Sequence, residues 1–222
     1  MRTHRGCVLV SLLATSFVAC GDVDLLDGDP PNLTRGKSDT GWTPCSNAEE
    51  GEMQQAEGGV WLWNQPTADK KWNGQCGNTA AANYLLHACN WCLSPRHLNY
   101  AWDTLPGSRP STVASLINNA GVCQRVKAYY GSTGDEATPR RLCAHADISN
   151  PVALLINQTG WKLKLHWINV LGCSCRLEWD GSWSGEVRYS TWGSVVTSSC
   201  DELRGWLDDI PWPYPDASWV GK

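Results

Sequence analysis

The chain has 222 residues, of which 42% are hydrophobic and 18% charged, enough apolar material for one core of ordinary size, so one folded domain is expected rather than two. Its formal net charge of −4 argues against a nucleic-acid partner, which needs a basic surface to neutralise phosphates.

Residues 1–20 read MRTHRGCVLVSLLATSFVAC. Arg2 and Arg5 make a basic start and an apolar run follows from Cys7 to Ala19, which is the layout of a secretory signal. The run is too short to cross a bilayer as a helix. Ordinary signal peptidase wants small residues at −3 and −1, and a cut after Ala19 would put bulky Phe17 at −3. Phe17-Val18-Ala19-Cys20 resembles instead the lipobox of bacterial lipoproteins, in which a Cys is acylated and becomes the new N-terminus; Phe17 stands where that motif usually has Leu. The alternative is a soluble secreted protein with an unusual cut. The resemblance implies loss of residues 1–19, a lipid on Cys20, and attachment to the cell envelope, at the outer membrane or cell surface, through acyl chains. Loss of Arg2 and Arg5 would leave 16 of the 18 Lys and Arg against 22 Asp and Glu, a net charge near −6.

Eleven cysteines suit a small exported domain better than a cytosolic one. With Cys7 removed and Cys20 acylated, nine remain: Cys45, Cys76, Cys89, Cys92, Cys123, Cys143, Cys173, Cys175 and Cys200. One free thiol leaves eight, enough for four disulfides, with Cys76 the expected free one. Zinc is the rival use of Cys89-x-x-Cys92 with Cys173-x-Cys175, but the second pair lacks the usual two-residue spacing. No metal or other cofactor is expected.

Residues 20–57 read as a flexible tether, because the stretch is rich in Gly, Asp, Glu, Pro and Ser and has no sustained apolar period. An inhibitory prosegment is its functional alternative. Residues 58–222 form the domain. It opens on the apolar VWLWNQ, and after Cys76 the run GNTAAANYLLHACNWC spaces Ala81, Leu85 and Cys89, and Ala82 and Leu86, four apart, which predicts a helix with one buried face. Ser111 ahead of Val113, Leu116, Ile117 and Ala120, with Gly121 after them, predicts a second helix capped by Ser111. The period then changes to two. PVALLIN from Pro151, KLKLHWINVLG from Lys162, CRLEW from Cys175 and EVRYSTW from Glu186 read as strands, with Asp180-Gly181 a turn between the last two. Helices followed by a meander of strands indicate an α+β fold.

Cys76 heads the first helix, where unpaired backbone N–H groups and the helix dipole favour a thiolate. Gly77 removes bulk beside it, and Asn78 and Thr79 suit a first turn. A nucleophilic thiolate also needs a base. His87 lies eleven residues along the same helix, about 16 Å away at ~1.5 Å per residue, and cannot reach. His97 and His145 sit in loop-like sequence. His166 lies where one face of its strand passes from Lys162 and Lys164 to Ile168 and Val170, a suitable wall for a cleft; a structural imidazole at a sheet edge is the plainer alternative.

Gln65, the step to Cys76-Gly77-Asn78-Thr79, and His166-Trp-Ile-Asn-Val-Leu-Gly172 about ninety residues later resemble the papain-like peptidases of the C39-like group over roughly residues 58–200. The resemblance implies a papain-like α+β fold, with a helical part that carries the nucleophile packed on a C-terminal antiparallel sheet. It implies that Cys76 attacks a peptide or amide carbonyl, His166 activates it and Gln65 donates to the oxyanion, in a monomer that needs no cofactor. Gln75 is a rival donor at the wrong distance for the family pattern. The family usually orients its His with an Asp or Asn; here Val187-Arg-Tyr-Ser-Thr-Trp-Gly193 resembles the family's Asn-Ser-Trp-Gly with Ser190 in the Asn place. Asp180 and Asp201 are the other candidates, and a Cys-His dyad is the remaining one.

Two further readings stand beside a cysteine peptidase: a peptidoglycan amidase or endopeptidase, and a catalytically silent module that binds a peptide or sugar. The chain has fourteen Trp and one Phe. Most of the Trp are expected to fill the core rather than to form ligand platforms. The tail, WLDDIPWPYPDASWVGK, is expected to lie extended over the domain or its groove.

Overall fold

The computed structural model describes residues 45, 48, 52–56, 59–64, 76–98, 109–122, 124–157, 165–210 and 217–222, with backbone only at 96 and 97. Residues 1–44, Gln65, Gln75 and Cys123 lie outside the described residues; within the stretch 20–57 expected to be a flexible tether, Met53–Ala56 is instead a paired strand and Cys45 is disulfide-bonded to Cys92.

A small hairpin of β1 (Met53–Ala56) and β2 (Val60–Trp63) precedes three helices: α1 (Cys76–Ala88), α2 (Pro95–Leu98) and α3 (Pro110–Asn119). Then come β3 (Lys127–Gly131), α4 (Ala137–His145), β4 (Val152–Ile156), β5 (His166–Cys173), the two-residue pair β6 (Arg176–Leu177) and β7 (Trp183–Ser184), β8 (Glu186–Thr191), β9 (Ser194–Ser199), α5 (Cys200–Asp208) and β10 (Ala217–Gly221). Strands β3-β10-β4-β5-β8-β9 form one sheet in that order, and every neighbouring pair is antiparallel. The fold is therefore α+β, with an antiparallel sheet.

Helix α1 differs from its expected form. Every residue from Cys76 to His87 is buried, so the helix has no solvent face. Small residues allow this: Gly77 and Ala80, Ala81 and Ala82 let neighbours approach from several sides, while Tyr84, Leu85 and Leu86 fill the core at the other end. Two buried amides set its position. Asn83 Oδ1 accepts from the Trp63 backbone N–H at 2.8 Å, and Asn169 Nδ2 donates to the Ala80 carbonyl at 3.0 Å. Helix α3 begins at Pro110, not after Ser111; Arg109 is its N-cap and makes no side-chain cap bond. Pro at the first helical position loses nothing, since its missing N–H would have had no partner there. Gly121 follows α3 with φ +69°, as a helix stop requires.

The tail is corrected most. Trp206 and Leu207 belong to α5, and Ala217–Gly221 is the buried strand β10 between β3 and β4. Both faces of β10 are covered, with Trp219 and Val220 inside, so this segment completes the sheet instead of lying over it. Helix α5 has a conventional start: Ser199 Oγ accepts from Glu202 N–H at 3.1 Å, and Asp201 and Glu202 occupy its first turn, where the helix dipole favours negative charge. Among the described residues, Trp63, Trp167, Trp183, Trp206 and Trp219 are buried, whereas Trp179 is 96% exposed, so most of the described indoles serve as core.

Three disulfides pin this frame: Cys45–Cys92, Cys143–Cys173 and Cys175–Cys200. Cys89 is also disulfide-bonded. Cys89 and Cys92 thus belong to different bonds, as do Cys173 and Cys175, and none of these sulfurs is left as the thiolate that zinc would need.

Strands β8 and β9 are joined by Trp192 and Gly193, which have φ +50° and +74°. Two left-handed residues in a two-residue loop match the twist of a hairpin. A Cβ on Gly193 would fall on the side chains of Asn64 and Gln54, and Gln54 Nε2 donates to the Gly193 carbonyl. Gly193→Ala is expected to destabilise the protein by about 1–3 kcal/mol, read as a lower thermal midpoint; an unchanged midpoint would contradict the tight seating of this turn on β1 and β2.

Candidate active site

Cys76 is the free cysteine among the described residues, and it is the first residue of α1. Its sulfur is faced by backbone N–H groups of Trp167, Gly77 and Cys76 itself, all of which favour the thiolate. Burial outweighs them: Cys76 is only 6% exposed, and desolvation pushes its pKa above the ordinary thiol value of 9.0. The thiol is neutral at physiological pH.

Trp167 follows His166 at the start of β5, so the sulfur faces the backbone beside the base candidate, while the described partners of the His166 ring are Thr191 and Trp192, not Cys76. The paired register of β8 on β5 begins only at Asn169, opposite Ser190; the first three residues of β5 precede it.

His166 is 8% exposed, and burial lowers its pKa from 6.5 to about 4. Its Nε2 lies 2.8 Å from Thr191 Oγ1, and its ring stacks on Trp192 at 4.8 Å with an interplanar angle of 5°. Trp192 is a bulky residue at positive φ, a conformation that costs free energy unless its surroundings hold it. The stack on one side and the Gly193 turn on the other hold it. With Nε2 engaged by Thr191, Nδ1 is the ring nitrogen left to exchange a proton elsewhere.

Ser190 does not orient His166. It pairs with Asn169 and so shares the face of β5 from which the Asn169 amide reaches α1, whereas His166, three residues earlier, points to the opposite face. A shift of one residue along a strand reverses the face, which makes Thr191 the group that meets the imidazole. The Ser190 hydroxyl is buried without a hydrogen-bond partner. Asp180 is exposed and accepts from the Ser182 N–H and hydroxyl. Asp201 accepts from the Trp183 N–H at 3.2 Å. Neither is among the described partners of His166.

Gln65 lies outside the described residues. Asn64, immediately before it, donates to Gln54 Oε1 at 3.0 Å, and Gln54 in turn holds Gly193. Of the other histidines, His87 is buried within α1, His97 lies in α2, and His145 ends α4 with its ring stacked on Tyr129 at 6.4 Å; the loop positions expected for the last two are thereby corrected. Thr191 and Trp192 were not singled out as partners of His166 by sequence reasoning. The signal was in the run Ser190-Thr191-Trp192-Gly193, but its register against β5 was not.

Chemically, a neutral thiol beside the start of β5 and a neutral imidazole on its first residue suit general-base activation during attack, in place of a pre-formed thiolate-imidazolium pair. No protein-family model matches the chain, and no curated protein matches it either.

The low pKa of His166 makes stability depend on pH. Its stabilising contribution is fully present above the unfolded value of 6.5, declines as pH falls toward about 4, and is absent below that, because the unfolded chain takes up the proton first. The shift corresponds to roughly 3 kcal/mol at ~1.4 kcal/mol per pH unit. Urea unfolding at pH 7 and pH 4 is expected to show a smaller loss of stability in His166→Gln than in the parent by an amount of this order; equal losses would mean that the ring is not held neutral.

Proposed function

We propose that this protein is an exported cysteine hydrolase with a papain-like arrangement, cleaving a peptide or amide bond at the cell envelope. One observation carries the reading: the free thiol heads a buried helix and faces the backbone N–H of the residue that follows His166. A helix preceding an antiparallel sheet, with the two reactive groups on α1 and β5, supports the papain-like architecture.

In the proposed reaction the Cys76 sulfur attacks the substrate carbonyl carbon as its proton passes to Nδ1 of His166. The Thr191 hydroxyl accepts from Nε2–H, which fixes the tautomer and leaves the Nδ1 lone pair free for that proton. The developing oxyanion is stabilised by backbone N–H groups at the start of α1, with Gln65 as the proposed side-chain donor. His166 returns the proton to the departing amine, leaving a thioester. Water then attacks the thioester, losing a proton to Nδ1, and the acid product departs as Cys76 regains its proton. Thr191 supplies no negative charge to stabilise the imidazolium, so a lower rate is expected than with an Asp in its place.

A binding module is the second reading, favoured by the burial that holds both Cys76 and His166 neutral. An electrophilic cysteine-peptidase probe on native, unreduced protein separates the two. The hydrolase reading expects stoichiometric labelling of Cys76 at neutral pH, slowed by roughly 10²-fold or more in His166→Ala. Labelling only after denaturation would favour the binding module.

Export through a lipid anchor is the proposed location, and the disulfides support an oxidising compartment. Cys20→Ser is expected to move the protein from the membrane fraction to the soluble one. An unchanged distribution on fractionation would contradict lipidation at Cys20.

A further inference from the structure

Two disulfides meet at one place in the fold, away from the residues assigned to hydrolysis. The sulfurs of Cys143, Cys173 and Cys175 lie within 4.8 Å of one another, although Cys143 is bonded to Cys173 and Cys175 to Cys200. Cys143 and Cys175 also line a cavity of about 550 Å³, together with Arg140, Arg176 and Glu136. The Cys175 backbone N–H donates to Cys143 Sγ at 3.3 Å. Cys143 and Cys173 are half-buried, while Cys175 and Cys200 are 5% and 0% exposed. Cys200 is the first residue of α5.

These positions assign different roles in thiol-disulfide exchange, which proceeds by thiolate attack on one sulfur and departure of the other, faster when the departing thiolate is stabilised. Cys173 and Cys143 are equally half-buried, so the better leaving group decides which sulfur is attacked. Cys143 is the better leaving group, since its sulfur receives the Cys175 N–H and shares a cavity wall with Arg140 and Arg176, whose positive charge exceeds that of the one carboxylate there, Glu136. Once released, its sulfur already lies within 4.8 Å of Cys175. Cys200, at a helix start, leaves as a thiolate favoured by the helix dipole.

We propose that Cys173 is a site of S-thiolation by a low-mass thiol, and that the exchange passes through Cys143 to the buried Cys175–Cys200 bond. In the first step the external thiolate bonds to Cys173 Sγ, the Cys143–Cys173 bond breaks and the electron pair leaves with Cys143. In the second, Cys143 Sγ bonds to Cys175 Sγ, the Cys175–Cys200 bond breaks and Cys200 leaves as a thiolate that takes a proton from water. One external thiol is consumed and one protein thiol appears, with two disulfides still within the chain's sulfur set: the mixed one at Cys173 and the new Cys143–Cys175 bond. No net oxidant or reductant is required. A buried structural bond is thereby made to respond to the thiol content of the surroundings.

The test uses the oxidised full chain with a small excess of glutathione at pH 8. Aliquots are quenched in acid, denatured with N-ethylmaleimide, digested without reduction and mapped by mass spectrometry. Cys76, free at the outset, is labelled in every aliquot and reports complete labelling. The expected products are glutathione on Cys173, a Cys143–Cys175 cross-link and maleimide on Cys200. Loss of Cys175–Cys200 should follow the same time course as loss of Cys143–Cys173, while Cys45–Cys92, whose two sulfurs are 4% and 3% exposed, persists. Maleimide on Cys143 with Cys175–Cys200 intact would overturn the relay. Glutathione on Cys143, or loss of Cys175–Cys200 at the slow rate of Cys45–Cys92, would overturn it as well.

Discussion

The enclosure of α1 on every side governs the rest of the structure. A helix that no water reaches must have its position set by its neighbours, and here Asn83 binds β2 while Asn169 reaches the Ala80 carbonyl from β5. Each such bond contributes about 1 kcal/mol net, but losing one partner would strand a buried polar group at a cost of ~1–3 kcal/mol. The two amides therefore act as registers between otherwise slippery apolar surfaces. One helical turn before the Ala80 carbonyl that Asn169 holds, Cys76 comes to the Trp167 N–H. The small residues that let the helix be buried also bring its first turn close to the strand.

That same burial decides the electrostatics. Backbone N–H groups at the helix start pull the thiol toward ionisation, and desolvation pushes it the other way and prevails. Desolvation likewise holds His166 neutral down to about pH 4. The two groups are thus stored uncharged, which protects the buried thiol from oxidation because the thiolate is the reactive form. Under the proposed hydrolase reading, charge separates only as a carbonyl is attacked, when the N–H groups gain an oxyanion to bind.

Much of this was legible in the chain. The helix start at Cys76 follows from apolar spacing, and β5 follows from alternation around His166. Thr191 was harder to read, because assigning the partner of an imidazole on one strand requires the register of the next. The residue-by-residue likeness to Asn-Ser-Trp-Gly pointed to Ser190, one position from the group that meets the ring, and one position in a strand is the whole difference between its faces. Strand β10 was missed because prolines at 211, 213 and 215 suggested an extended cover, while the sheet position of the five residues after them depends on long-range pairing with β3 and β4. The opposite misreading affected α1, whose periodicity announced one apolar face although its alanines let every face be buried.

The arrangement joining α1, β5 and β8 can be tested most directly through the nitrogen shifts of His166. In protein labelled with ¹⁵N at histidine, the ring at neutral pH should be the Nε2–H tautomer, donating to Thr191, with an unprotonated Nδ1 whose shift changes when Cys76 is replaced by Ala. An Nδ1–H tautomer, or an Nδ1 shift indifferent to Cys76→Ala, would contradict the pairing of this thiol with this imidazole.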